Sequence, residues 1–146
     1  MNTLYAIPVQ IPCTVTINKL SLYVQSVGTA TACHLGIYAN DAGGLPGTLI
    51  RDAGTVSVTS GGKQSVSSVN QQLPPGLVFL VAGCNGTLGL NAGSATMLGS
   101  ILGLANETDT STFIQATGWT YGALPSTFPA ATTLPDGAAP LVYFSL

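Results

Sequence analysis

Thr14-Val15-Thr16-Ile17-Asn18-Lys19-Leu20-Ser21-Leu22-Tyr23-Val24-Gln25 alternates apolar and polar residues along its length, but the alternation changes phase halfway. Val15 and Ile17 hold one parity, whereas Leu20, Leu22 and Val24 hold the other. Strand side chains point alternately to opposite faces. A single buried face therefore needs one extra residue near Asn18-Lys19, which is what a β-bulge supplies. The stretch predicts a long, half-buried strand with a bulge at that point.

The neighbouring segments read the same way. Leu4 to Val9 predicts a first strand, stopped by Pro8 and then Pro12. Cys33, Leu35 and Ile37 alternate with His34, Gly36 and Tyr38, in a strand that ends at the turn-rich Asn40-Asp41-Ala42-Gly43-Gly44. Pro46-Gly47 marks a turn before a short strand at Thr48 to Arg51. Thr55 to Thr59 places Val56 and Val58 inward, and Gly61-Gly62 predicts a hairpin to a strand from Gln64 to Val69. Leu77-Val78-Phe79-Leu80-Val81-Ala82 is apolar throughout and predicts a central strand covered on both faces. Leu141 to Leu146 is a last apolar strand. With 18 Gly and 9 Pro punctuating short extended segments, the expected fold is all-β, a single-domain antiparallel β-sandwich of jelly-roll-like kind. It spans residues 1–146, with an N-terminal arm (1–12) and a long C-terminal loop (114–140).

Charge is scarce. Three basic and five acidic residues stand among 146, where average usage would place about 36. Such a surface repels its own copies weakly, which suits a protein whose neighbours cover much of it. Three scattered cations and a net charge of −2 cannot neutralise a run of phosphates, so nucleic acid is excluded as a partner. Residues 86–105 carry no charge, but five Gly with Asn91, Ser94 and Ser100 point to a soluble loop-and-strand region, not a membrane span. Met1 to Tyr5 has neither the basic nor the apolar region of a secretory signal, which implies folding in the cytoplasm where the chain is made. Cys13, Cys33 and Cys84 are odd in number and widely spaced, and read as buried, inert thiols in a reducing compartment. Asn85-Gly86-Thr87 and Asn106-Glu107-Thr108 match the glycosylation pattern without an export signal to support it.

Few residues suggest chemistry. His34 is the single histidine, no GxSxG motif is present, and no cysteine lies near it in sequence. A partly exposed strand residue, or one at a subunit contact, is the expectation for it. Glu107 and Asp109 could share a cation such as calcium, although solvated loop acids are the default. Asp41 and Asp52 are expected to cap backbone amides in turns. Trp119 and Tyr121, with Phe128, lie in the Gly- and Pro-rich C-terminal loop. They are candidates for interface anchors, for stacking on a sugar, or for covering their own core. Leu4, Tyr5 and Ile7 of the N-terminal arm are the second candidate contact site, as a strand added to a neighbour's sheet. No cofactor or metal is expected.

Leu35-Gly36-Ile37-Tyr38-Ala39, Gly44-Leu45-Pro46-Gly47-Thr48-Leu49-Ile50 and Asp52-Ala53-Gly54-Thr55-Val56 form a cadence that continues through Leu73 to Leu80 and Tyr121 to Pro125. It resembles a β-sandwich domain of tailed-bacteriophage virion proteins, both tail-fibre-like or minor structural proteins and small head proteins. The resemblance implies a non-enzymatic virion structural role and carries over no catalytic residue. It points first to a capsid decoration, or cement, protein on the capsid surface, assembled in the host cytoplasm. Its implied partners are the major capsid protein and copies of itself in a homotrimer. The alternative is a tail-associated module that binds a receptor or a host glycan.

Overall fold

The computed structural model describes residues 3–93, 113–134 and 139–146. No helix occurs among them, and two antiparallel sheets pack face to face. The larger sheet has the order β10-β9-β1-β6-β3-β4. Its strands are β1 (Thr3–Ile11), β3 (Ala32–Asn40), β4 (Pro46–Ser57), β6 (Gly76–Cys84), β9 (Phe113–Thr117) and β10 (Thr132–Leu134). The smaller sheet runs β12-β2-β5, from β2 (Val15–Ser26), β5 (Gly62–Leu73) and β12 (Tyr143–Ser145), with β7 (Gly89–Leu90) also paired to β2. Two short strands, β8 (Ala92–Gly93) and β11 (Ala139–Pro140), pair with each other. The chain crosses between layers at β1–β2, β2–β3, β4–β5 and β5–β6, so most consecutive strands lie in different sheets.

The irregularity expected at Asn18-Lys19 is present, but its extra residues lie on the partner strand β5 and not in β2. The pairing of β2 with β5 shifts between Ile17 and Lys19. As a result Ile17, Leu20, Leu22 and Val24 all point into the core, each no more than 1 % exposed. Opposite the single residue Asn18, β5 spends three residues, with Ser68 and Asn70 both at positive φ. β6 is central, flanked by β1 and β3. Val78, Leu80 and Ala82 face the core between the sheets, whereas Phe79 and Val81 face a second apolar cluster on the outer side. That second cluster gives the molecule a third layer. Trp119, Leu124 and Phe128 from the C-terminal segment lie over the outer face of the larger sheet, against Leu4, Tyr38 and Phe79.

Several sequence expectations are corrected. Pro8 does not stop β1, which runs on to Ile11. Pairing with β9 ends at Ala6, so among the described residues no strand pairs with β1 on that side at Pro8, where proline offers no N–H. The Gly61-Gly62 corner is not a hairpin: β4 pairs with β3 in one sheet and β5 with β2 in the other. Val58 shows why, since its buried side chain fills the core and its N–H donates to Thr31 O at 3.0 Å, which keeps the chain beside β3 before it crosses. The segments read as Thr48 to Arg51 and Thr55 to Thr59 largely merge into the single strand β4. Residues 114–140 are not a continuous loop, because β9, β10 and β11 fall within or across that span. Cys33 and Cys84 form a disulfide between registered positions of β3 and β6, and Cys13 is exposed and free, so the expectation of three buried thiols does not hold. Among the described residues no helix is long and apolar enough to cross a membrane.

Candidate functional site

Two regions of the molecule hold features beyond ordinary packing. The first lies on the outer face of the larger sheet, where β3 presents His34, Gly36 and Tyr38. β4 pairs with β3 with three irregularities; at the first, Leu35 is opposite Gly54 but Gly36 is opposite Asp52, so Ala53 is the extra residue of a bulge. The bulge turns Asp52 onto the same face as His34. His34 Nε2 donates to Asp52 Oδ1 at 2.5 Å. The same oxygen accepts from Gly54 N–H at 2.9 Å, and Oδ2 accepts from Leu124 N–H at 3.1 Å. Asp52 therefore does cap a backbone amide two residues on, as a turn aspartate would, and in addition ties the C-terminal segment to the sheet.

Glycine makes that docking possible. A Cβ on Gly83 would sit 2.5 Å from Trp119 Cζ3 and 2.7 Å from Leu4 Cδ2, and one on Gly36 would overlap Leu124. Only residues without side chains let the segment lie this close to the strands. Tyr38 completes the clasp by donating from its hydroxyl to Pro125 O at 2.7 Å. Burial, helped by the nearby Asp52 charge, pushes the Tyr38 hydroxyl far above the ordinary phenol range. Burial alone raises Tyr121. Burial also pushes Asp52 upward, but the hydrogen bonds from His34, Leu124 and Gly54, with the His34 charge, outweigh it and hold the carboxyl below its ordinary value.

The chemistry open to this cluster is narrow. With Nε2 donating to a carboxylate, Nδ1 is the nitrogen left to act as a base, and no donor or acceptor reaches it. The Tyr121 hydroxyl is likewise buried without a partner, with its ring edge-on to His34 at 6.4 Å between centroids. Among the described residues no nucleophile is hydrogen-bonded to the imidazole, and what the pair holds is the C-terminal segment, through Leu124 N–H on Asp52. His34 is only 7 % exposed, which corrects the expectation of a partly exposed strand residue: the C-terminal segment covers it. No group of three or more His, Cys, Asp or Glu that could hold a metal occurs among the described residues. Glu107 and Asp109 lie outside the described residues.

The second region is the outer face of the smaller sheet. Alternation along β2 turns Lys19, Ser21, Tyr23 and Gln25 away from the core. The register sets Tyr23 beside Lys63, Ser21 beside Ser65 and Tyr143, and Lys19 beside Ser67 and Ser145. Ser21 and Ser65 hydrogen-bond through their hydroxyls at 3.0 Å. Tyr23 and Tyr143 stand exposed on this face, Val27 is exposed just past the end of β2, and Phe144, registered with core-facing Leu20 on the opposite face of β12, and Leu146 beyond it are also exposed. None was a candidate contact in the sequence. A tyrosine or phenylalanine in an alternating strand reads equally as core or surface until the neighbouring layer is known.

The sequence-derived contact candidates occupy other places. Leu4, Ile7, Trp119 and Phe128 are buried in the protein's own clusters. Trp119 packs edge-on against Tyr121 at 5.5 Å and offers no open stacking platform. β1, read as an arm, is an interior strand between β9 and β6. Tyr5 is half-buried and lines a cavity of about 350 Å³ with Thr3, Cys84, Leu88 and Leu90 at one end of the sandwich. No protein-family model, no curated protein and no solved structure matches this chain.

Proposed function

We propose that this chain is a non-enzymatic structural protein of a tailed-phage virion, a capsid decoration protein that binds the shell of the major capsid protein and copies of itself, as a homotrimer on the capsid surface. The carrying observation is that Tyr23 and Tyr143 stand exposed on the outer face of the smaller sheet, with Val27, Phe144 and Leu146 exposed at the ends and edge of the same sheet. The five percent charged composition supports the same reading, since a sparsely charged surface loses less hydration when a partner covers it. Lys19 and Lys63, the two charges on this face, have no carboxylate partner among the described residues and suit an acidic rim on the shell. The phage element of the proposal comes from the sequence resemblance. No observation favours the glycan-binding alternative, because Trp119 and its edge-on neighbour Tyr121 are folded onto the protein itself.

Immunogold labelling of virus particles from the source of this chain tests the proposal. Gold over the particle heads is the expected result. Label confined to tails would favour the receptor-binding alternative, and particles without label would overturn the virion reading.

A further inference from the structure

Cys33 and Cys84 are joined where the chain changes sheets. β3 begins just after the crossing from β2, and β6 ends just before the chain returns to the smaller sheet as β7, which pairs with β2. The bond therefore ties two crossings together at one end of the sandwich. Hydrogen bonds hold the same place independently. Asn85 N–H donates to Ala32 O at 3.1 Å, and Asn85 Oδ1 accepts from Thr31 N–H at 2.9 Å and from Ala32 N–H at 3.1 Å. One step further out, Ala30 N–H donates to Thr87 O at 3.1 Å and Thr87 N–H to Thr29 Oγ1 at 3.0 Å. On the other side, the registered pairs from His34–Gly83 to Ala39–Val78 continue the ladder. The strands are held in place without the sulfur bridge.

The two sulfurs have different surroundings. Cys33 is fully buried in the core between the sheets. Cys84 is partly exposed and lines the cavity of about 350 Å³ with Thr3, Tyr5, Leu88 and Leu90. In thiol–disulfide exchange, access decides which sulfur is attacked. The cavity also gives the Cys84 side chain room to turn away once the bond opens, while Cys33 stays behind as a small apolar core residue.

We infer that Cys33–Cys84 is a redox lock, opened and closed by exchange with small-molecule thiols at Cys84 on the cavity side. The thiolate of one such molecule attacks Cys84 Sγ. A mixed disulfide forms as the bond to Cys33 breaks, and Cys33 leaves as a thiolate that takes up a proton. A second thiol then displaces Cys84 from the mixed disulfide. Two small thiols thus pass two electrons and two protons to Cys33 and Cys84 and become one disulfide; closing the lock runs the same steps backward. The open form keeps the fold, because the ladder and its flanking hydrogen bonds remain. Closing restricts the unfolded chain across a separation of 51 residues, which favours the folded state on the order of a thousandfold. Such a chain folds where thiols stay reduced and is hardened on reaching an oxidising medium.

The full-length chain carrying Cys13→Ser tests both parts. That substitution removes the exposed third thiol, roughly 25 Å from the bond beyond the other end of β1. Oxidised, and reduced with dithiothreitol, the protein should give the same far-ultraviolet circular dichroism, with a thermal midpoint about 8 °C or more lower in the reduced form. A reduced chain that is unfolded, or one whose midpoint does not move, overturns the lock. The probe for the entry sulfur is cystamine, added to the native protein and followed by mass spectrometry. In the Cys13→Ser background, cysteamine should attach to Cys84 of Cys33→Ala at least about tenfold faster than to Cys33 of Cys84→Ala. Equal rates, or a faster reaction at Cys33, overturn the assignment. If either variant fails to fold, partial reduction of the intact pair by cysteamine, quenched in acid, is held to the same result: the adduct must lie on Cys84. None of these outcomes bears on the virion proposal.

Discussion

The two outer faces of this sandwich have opposite treatments. Over the larger sheet the chain lays a layer of its own, with Leu124 and Trp119 seated on glycines 36 and 83, Phe128 edge-on to Tyr38, and the segment tied down through Asp52 and Tyr38. Over the smaller sheet no described segment is laid, and Tyr23 and Tyr143 are more than 40 % exposed. Aromatic residues alone do not distinguish the faces, since both carry them. What differs is the floor: glycine lets a covering segment approach, whereas the Ser, Lys and Tyr side chains of the smaller sheet hold other chains at side-chain distance. Among the described residues, one face is covered by the protein's own chain and the other is not.

The largest effect should come from breaking the finished face. Trp119→Ala removes a side chain that is only 7 % exposed and opens a cavity over Gly83 beside Leu4. The cavity and lost burial should cost about 3–5 kcal/mol. Chemical denaturation measures this directly. A loss below about 1 kcal/mol would mean that the C-terminal segment is not part of the cooperative structure.

A middle-sized effect should come from Asp52, which fastens that segment electrostatically. Asp52→Ala strands the His34 Nε2–H, Gly54 N–H and Leu124 N–H donors, at a cost of about 1–3 kcal/mol near neutral pH. The carboxyl lies below its ordinary value of 3.8 in the folded protein. Its contribution is therefore fully present above that value and is lost as pH falls through the folded one. The stability gap between wild type and Asp52→Ala should be constant above about pH 5 and close progressively in acid. A gap independent of pH down to about pH 2 would show that Asp52 acts by shape alone.

How much of this was legible in the sequence follows from the range over which each feature is encoded. The bulge at Asn18-Lys19 was visible because a parity change is local, and the central position of β6 because an uninterrupted apolar run needs cover on both sides. Asp41 was legible for the same reason: it accepts from Gly43 N–H and Leu45 N–H within its own turn. Asp52 was half legible. Its bond to Gly54 is local, but those to His34 and Leu124 depend on a bulge and on a segment 72 residues away. The Cys33–Cys84 disulfide spans 51 residues and follows from β3 lying beside β6, an order that no spacing announces. Gly61-Gly62 misled because a glycine corner serves a crossing between sheets as well as a hairpin. Trp119 and Phe128 were ambiguous because an aromatic residue that covers its own core has the same composition as one that anchors a partner.

The smallest effect on stability should come from the open face, and it sharpens the contrast most. Tyr23 stands on β2 across from Lys63, 43 % exposed, with no side-chain hydrogen bond of its own among the described residues. Tyr23→Ser keeps a hydroxyl in a row that already holds Ser21 and Ser65, and should change folding stability by no more than about 0.5 kcal/mol, as surface substitutions do. It removes an aromatic anchor from any interface formed there, so shell binding should weaken by at least about tenfold while the denaturation midpoint stays put. Parallel denaturation and shell-binding titrations separate the two quantities. A loss of stability above about 1 kcal/mol would show that the ring belongs to the protein's own packing, and the smaller sheet would then be as finished as the larger one.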